Sequence, residues 1–228
     1  MGGAATLVGA WTLLAAGSLL APSVGAVAAT AISFAAVSGL VVLAGGWPGG
    51  MRRPLASALA AASGFASYPA WVVLIAALGL GAGLAPRAAV APGFREPLVW
   101  IPIALLAPFF EELLYRRLLL PVLRRRIGVF PAIAVTSALF ALPHLEPWQM
   151  LGTFLVGLGL GAVFAATGDV WLCIALHAGL NVAALACGSP PVRWAFEPAA
   201  AAIAGPTLLA LAARSRRPLP PPLGWRHA

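Results

Sequence analysis

The chain has 228 residues, of which 61% are hydrophobic and only 9% are charged, and its mean hydropathy is +0.96. A soluble domain normally carries about 25% charged residues, so this composition excludes an ordinary soluble protein and indicates an integral membrane protein. The net charge is +8 and comes from arginine alone, because the sequence contains no lysine.

A net positive charge of this size is also found in nucleic-acid-binding proteins. Here, however, the arginines form clusters that directly follow apolar runs, at 52–53, 124–126 and 214–217. That placement is typical of side chains that orient a protein in the bilayer and contact anionic lipid headgroups. We therefore expect the lipid bilayer as a partner and no nucleic acid.

Proline, glycine and arginine separate the apolar runs, which predict about eight transmembrane helices. The absence of strand-like alternation favours an all-α, polytopic transmembrane helical bundle. We expect one integral-membrane domain over residues 1–213 and a disordered Arg/Pro-rich tail over 214–228. The predicted spans cover roughly residues 4–21, 24–46, 55–84, 98–121, 127–143, 148–167, 170–187 and 198–213.

The arginines also predict the orientation of these spans. If both termini are cytoplasmic, the inner loops and the tail receive nine arginines and the outer loops receive three. This asymmetry is the one that the positive-inside rule predicts. The lack of lysine and the bias toward alanine, glycine, arginine and proline suggest a GC-rich bacterial genome, so we expect the bacterial inner membrane. The nine inner arginines are Arg52, Arg53, Arg124, Arg125, Arg126, Arg214, Arg216, Arg217 and Arg226.

Two adjacent glutamates, Glu111 and Glu112, interrupt the fourth predicted span. Carboxylates in hydrocarbon are costly and are usually functional. Glu112 and Arg116 are four residues apart, so they share one helix face and are expected to form an ion pair that fixes the helix. Glu111 is rotated by about 100° from Glu112, which leaves it freer to take part in chemistry.

A second polar element follows at the end of the fifth span, in the sequence Phe140-Ala-Leu-Pro-His144. Proline disfavours helix in the residue before it, so Pro143 is expected to end or kink the span just before His144. A histidine at such a break can point into a cavity, although a lone membrane histidine is more often a packing residue.

The third polar element lies on the seventh span, in the sequence His177-Ala-Gly-Leu-Asn181. The imidazole and the carboxamide are one helical turn apart and therefore share a face. Gly179 lies between them and would allow another helix to approach closely. An asparagine alone would be read as a hydrogen bond between helices, but the three elements together are hard to explain by packing.

The three elements together resemble the motifs of a known family, the membrane-embedded CAAX-protease and bacteriocin-processing enzymes, which are related to the type II CAAX prenyl endopeptidase. The resemblance covers roughly residues 105–185, within a core at about 98–187. The motifs are Glu111-Glu112-Leu-Leu-Tyr-Arg116, Phe140-Ala-Leu-Pro-His144 and His177-Ala-Gly-Leu-Asn181.

The resemblance implies an intramembrane endopeptidase of glutamic type. By this analogy, Glu111 and His144 activate a water molecule, while His177 and Asn181 stabilise the oxyanion. Each role is chemically reasonable, because a desolvated carboxylate beside an imidazole can act as a general base and side-chain donors can bind an oxyanion.

Zinc is an alternative within the same resemblance, since Glu111, His144 and His177 are chemically suitable ligands. These residues lack the His-x-x-x-His spacing of common zinc proteases, so we expect a mechanism without a metal or other cofactor. The expected substrate is a membrane-anchored protein or peptide, such as one with a C-terminal sorting or CAAX-like signal. The sequence specifies no oligomeric state.

Two other functions are compatible with these residues. One is a non-catalytic immunity or binding protein of the same fold. The other is a small proton-coupled transporter that uses the buried acids and histidines as a relay. The lack of a detectable inverted repeat argues against the transporter.

Overall fold

The computed structural model describes residues 54–81, 100–144 and 146–187, and in this part of the chain every regular element is helical. The all-α prediction is confirmed there. The predicted spans at 4–21, 24–46 and 198–213 lie outside the described residues, as does the tail at 214–228. The count of about eight spans therefore stays a prediction.

Five helices follow one another in the described ranges, and we number them in chain order. The fourth predicted span is longer than expected, because its helix continues past residue 121 to Ile127. Arg124–Arg126 therefore lie on the last turn of this helix and not in a loop. The helices are α1, Pro54–Gly81; α2, residues 100–127; α3, Val129–Ala141; α4, Pro147–Thr167; and α5, Val170–Cys187.

Two of these helices, over Pro54–Gly79 and Pro147–Thr167, are long and apolar enough to cross a bilayer. Val129–Ala141 and Val170–Ala186 are apolar but shorter. Helical winding suits such sequences, because each backbone N–H and C=O must find its partner within the segment when no water is present.

Short turns reverse the chain between the helices. Gly128 joins α2 to α3 with φ 84°, and Gly168 ends α4 with φ 65°. Side chains with a Cβ rarely adopt this left-handed region, which explains glycine at both positions. Asp169 then accepts a hydrogen bond from the N–H of Trp171 at 2.9 Å and caps the start of α5.

Helix α2 is widened twice into π-helical turns, at Pro102–Leu106 and at Leu113–Leu119. After the first, the N–H of Ala107 donates to the carbonyl of Pro102, five residues earlier. After the second, the N–H of Leu120 donates to Tyr115 in the same way. Each donor immediately precedes a proline, Pro108 or Pro121. A prolyl ring collides with the carbonyl four residues before it, and a wider turn relieves that collision.

Helices α1 and α5 pack with their backbones in contact. A Cβ built at Gly179 would overlap the carbonyl oxygen of Ala61, and one built at Gly64 would overlap that of Leu176. The predicted close approach at Gly179 is therefore confirmed. Small residues at such crossings allow extensive van der Waals contact between helices in a membrane. This packing places α1 against the side of α5 opposite His177, whose imidazole faces α2.

Candidate active site

Glu112 and Arg116 form a fully buried ion pair on α2. Nη1 of Arg116 donates to Oε1 of Glu112 at 3.0 Å, and both side chains are at most 1% exposed. Nη2 of Arg116 donates to the carbonyl of Gly157 on α4 at 3.2 Å. The predicted pair is confirmed, and through Gly157 it also connects α2 to α4.

His177 lies between the two glutamates. Its Nδ1 is 3.0 Å from Oε1 of Glu112, and its Nε2 is 3.8 Å from Oε2 of Glu111. Glu111 is the more accessible acid, with 22% of its side chain exposed, whereas Glu112 is completely buried. The adjacent carboxylates therefore face opposite nitrogens of one imidazole.

The Glu112 contact determines which nitrogen of His177 carries a proton. Oε1 of Glu112 also accepts the hydrogen bond from Arg116, so this oxygen acts as an acceptor. Nδ1 of His177 must therefore be the donor. In the neutral imidazole, Nε2 then carries a lone pair toward Glu111; in the imidazolium form, it carries a proton.

Phe140 lies at the centre of these polar groups. Its ring meets His144 and His177 edge-on, with centroids 5.9 and 5.5 Å apart. The guanidinium of Arg116 lies 4.7 Å from the Phe140 centroid, within the range of a cation–π interaction. Tyr115 packs against the same ring and donates its hydroxyl to the carbonyl of Leu139 at 3.3 Å. Phe140 therefore has a more specific role than a generic core aromatic.

His144 lies in the connection between α3 and α4. As predicted from Pro143, α3 ends at Ala141, and the N–H of His144 donates to the carbonyl of Ala141 at 2.9 Å. Burial, together with the neighbouring His177, lowers the pKa of His144 below its usual value. Its Nδ1 is buried and has no hydrogen-bond partner among the described residues. A lowered pKa favours the neutral imidazole, which can accept a hydrogen bond through one ring nitrogen but binds a proton less readily.

Asn181 is engaged with the backbone of α2. Its Nδ2 donates to the carbonyl of Ile103 at 2.8 Å. Ile103 lies in the first π-helical turn of α2, so this bond joins α5 to the segment that precedes Glu111. The predicted oxyanion donor thus already holds a main-chain acceptor.

The predicted alternative ligand set for zinc is Glu111, His144 and His177. Among the described residues, no three His, Cys, Asp or Glu side chains are grouped closely enough to hold a metal ion. As placed, these side chains do not fit a three-ligand zinc site.

Sequence reasoning missed two participants in this site. The carbonyl of Gly157 accepts from Arg116, and the carbonyl of Ile103 accepts from Asn181. Main-chain acceptors leave no signature in a motif. The hint for Ile103 was the proline at position 108, which removes a donor from the helix.

Part of this chain is similar in sequence to known proteins. Residues 93–183 match the model of a family described as type II CAAX prenyl endopeptidase Rce1-like. The "Putative membrane peptidase YdiL" of Bacillus subtilis (strain 168) is 25% identical over 97 residues, which are 42% of this chain and 40% of that protein. No solved structure matches the chain significantly. The resemblance predicted from the three motifs is confirmed.

Proposed function

We propose that this chain is an intramembrane endopeptidase with Glu111 as its general base. Its residues 93–183 match the Rce1-like type II CAAX prenyl endopeptidase family, which supports the proposal. The observation that carries this proposal is the position of Glu111. Its carboxylate is partly accessible and lies 3.8 Å from an imidazole that a second, buried carboxylate holds in place. A general base must be reachable by substrate and lie close to the groups that assist it, and Glu111 meets both requirements.

In the first step, a water molecule attacks the carbonyl carbon of the scissile peptide bond. Its oxygen forms the new C–O bond, the π electrons of the carbonyl move to oxygen, and the proton of the water passes to the Glu111 carboxylate. His144 assists by hydrogen bonding to the water through its imidazole, whose Nδ1 has no partner among the described residues.

His177 stabilises the oxyanion that this step creates. Since its Nδ1–H is held by Glu112, the imidazolium form presents Nε2–H to the oxyanion. Glu112 compensates the positive charge of that form, while Arg116 and Gly157 keep Glu112 in place. Fixed donors of this kind commonly contribute about 3 kcal/mol to transition-state stabilisation.

In the second step, the tetrahedral intermediate collapses. The oxyanion electrons re-form the carbonyl, the C–N bond breaks, and the leaving nitrogen takes the proton held by Glu111. Hydrolysis yields a carboxylic acid and an amine, and Glu111 returns to its ionised form. We propose that no metal ion takes part.

The substrate that we propose is a membrane-anchored protein or peptide cut near an apolar segment. The apolar helices around the site support a substrate that reaches it from the bilayer. A C-terminal sorting helix and a CAAX-like prenylated tail both meet this description, and they differ in whether the cut lies beside a lipidated cysteine.

The test uses the purified full-length protein in liposomes with two internally quenched peptides. One ends in an apolar helix followed by arginines, and the other ends in a farnesylated cysteine. We expect cleavage of at least one, located by mass spectrometry, and a fall of roughly 100-fold or more in kcat for Glu111→Gln. The matched control is Glu146→Gln, at an exposed glutamate before α4, which should retain full activity.

Equal cleavage by the Glu111→Gln and Glu146→Gln variants would contradict the assignment of the base. A Glu111→Gln protein that still performs its cellular role would instead indicate the non-catalytic binding protein. Proton-coupled flux across the liposome membrane, lost in the same variant, would indicate the transporter.

A further inference from the structure

The carbonyl oxygen of Ile103 has lost both of its helical donors. In an α-helix it would accept from the N–H of Ala107, but that N–H donates to Pro102 instead. In the wider π-helical pattern it would accept from residue 108, which is proline and has no N–H. An unpaired carbonyl in an apolar segment is costly, so this position requires a donor from elsewhere.

Asn181 supplies that donor. Its Nδ2 lies 2.8 Å from the Ile103 oxygen, although the two residues are 78 positions apart in sequence. The alternative α-helical pattern would satisfy Ile103 through Ala107 but would leave the carbonyl of Ala104 facing the prolyl ring of Pro108. Each pattern leaves a carbonyl without a helical donor, and the Asn181 side chain stabilises the π-helical one.

We propose that Asn181 is a positioning residue that locks the first π-helical turn of α2 and thereby sets α5 against Glu111. This inference rests on the proposed function for its catalytic consequence. A single contact between two helices lets one pivot on the other. Here α5 holds α2 at two points, Asn181 on Ile103 and His177 on Glu112, which together fix the crossing of the two helices. The amide acts on the reaction through this geometry.

A second substitution in α2 tests the proposal, because it can supply the hydrogen-bond donor that Asn181→Leu removes. Asn181→Leu keeps the branched shape and the number of heavy atoms but removes the donor, and it should lower kcat by roughly 10- to 100-fold, with little change in KM, through misplacement of His177 relative to Glu111. Adding Pro108→Ala creates a backbone N–H that can serve the Ile103 carbonyl in the π-helical pattern. The double variant should therefore recover the lost stability of α2, whereas kcat should stay low, because the contact that holds α5 against α2 at Ile103 is still missing.

Replacing a proline inside a helix can stabilise a protein for unrelated reasons, and Pro69 provides the matched control. It lies inside α1, so Pro69→Ala removes an interior helix proline without touching α2. Asn181→Leu combined with Pro69→Ala should remain as impaired as Asn181→Leu alone. Pro108→Ala in the otherwise unchanged protein gives the baseline for the double variant.

Thermal unfolding of the same proteins in detergent gives a second readout that needs no substrate. Asn181→Leu should lower Tm by roughly 2–8 °C, and Pro108→Ala, but not Pro69→Ala, should restore it. If no protein in the series cleaves peptide, the proposed function fails while the Tm comparison still decides the positioning role. Loss of kcat by Asn181→Leu with no loss of Tm would overturn the proposal and make Asn181 a direct oxyanion donor. An unchanged Asn181→Leu protein would overturn it as well.

Discussion

Oε1 of Glu112 lies 3.0 Å from Nδ1 of His177, so the second of the two adjacent glutamates holds the imidazole directly. The same oxygen accepts from Arg116 at 3.0 Å. A buried cation, a carboxylate and an imidazole therefore form one continuous chain of charge-assisted hydrogen bonds, and such chains depend on every member. Glu111 lies at the accessible end of this chain.

Glu112→Gln should destabilise the protein strongly. The change leaves the guanidinium of Arg116 buried without a counter-charge, which costs about 3–5 kcal/mol. Thermal unfolding in detergent measures this loss. Glu111→Gln is the matched comparison, because that acid is partly exposed and makes no contact shorter than 3.8 Å with His177. Equal Tm values for the two variants would show that Glu112 has no anchoring role.

Arg116→Lys should fail to replace arginine despite keeping the charge. A lysine can reach Glu112, but it lacks the planar fork that also donates to Gly157 and stacks over Phe140. We expect a lower Tm, by roughly 3–8 °C, together with reduced activity. Arg124→Lys, at the exposed end of α2, is the control and should behave like the unaltered protein. A fully stable Arg116→Lys protein would mean that charge alone suffices.

Gly64→Ala should disrupt the crossing of α1 and α5. The added methyl group would overlap the carbonyl oxygen of Leu176, a backbone atom that cannot turn away. Gly152→Ala is the control, because its methyl would meet the flexible tip of Ile75 at 3.2 Å. We expect a loss of about 2 kcal/mol or more for the first change and little for the second. Urea or thermal unfolding distinguishes them, and similar values for both would argue against backbone contact.

Chelation should leave peptide cleavage unchanged if the mechanism is metal-free. The measurement is the rate of cleavage in liposomes before and after treatment with 1,10-phenanthroline, followed by added zinc. Inhibition that zinc reverses would contradict this expectation and would require a rearrangement of Glu111, His144 and His177 into a ligand set. Inhibition that zinc does not reverse would point to an effect of the chelator on the bilayer, to be checked with a non-chelating phenanthroline isomer.

Sequence alone predicted the features of the site that depend on residues close together in one helix. The spacing of Glu112 and Arg116 on one turn sufficed to predict their ion pair, and Pro143 sufficed to predict the end of α3 before His144. Gly179 indicated the close approach of another helix. Each of these inferences depends on the geometry of a single helix.

The contacts that sequence did not predict depend on how helices are placed against one another. Helical spacing put Glu111 and Glu112 on different faces, yet both reach His177, because the imidazole lies between them and presents one nitrogen to each. The π-helical turns were likewise missed. A proline inside a helix can be accommodated by a kink or by a wider turn, and the choice at Pro108 depends on the donor that α5 brings to it.

Helix α1 lies outside the stretch that matches the family model, which begins at residue 93. Yet its backbone touches that of α5 at Gly64 and Gly179, only two residues from His177. A chimera that carries only residues 93–183 in another protein would therefore keep Gly179 but lose Gly64 and the rest of α1. A chimera should keep its reactive centre aligned only if the recipient contributes a helix with similarly small residues at that crossing.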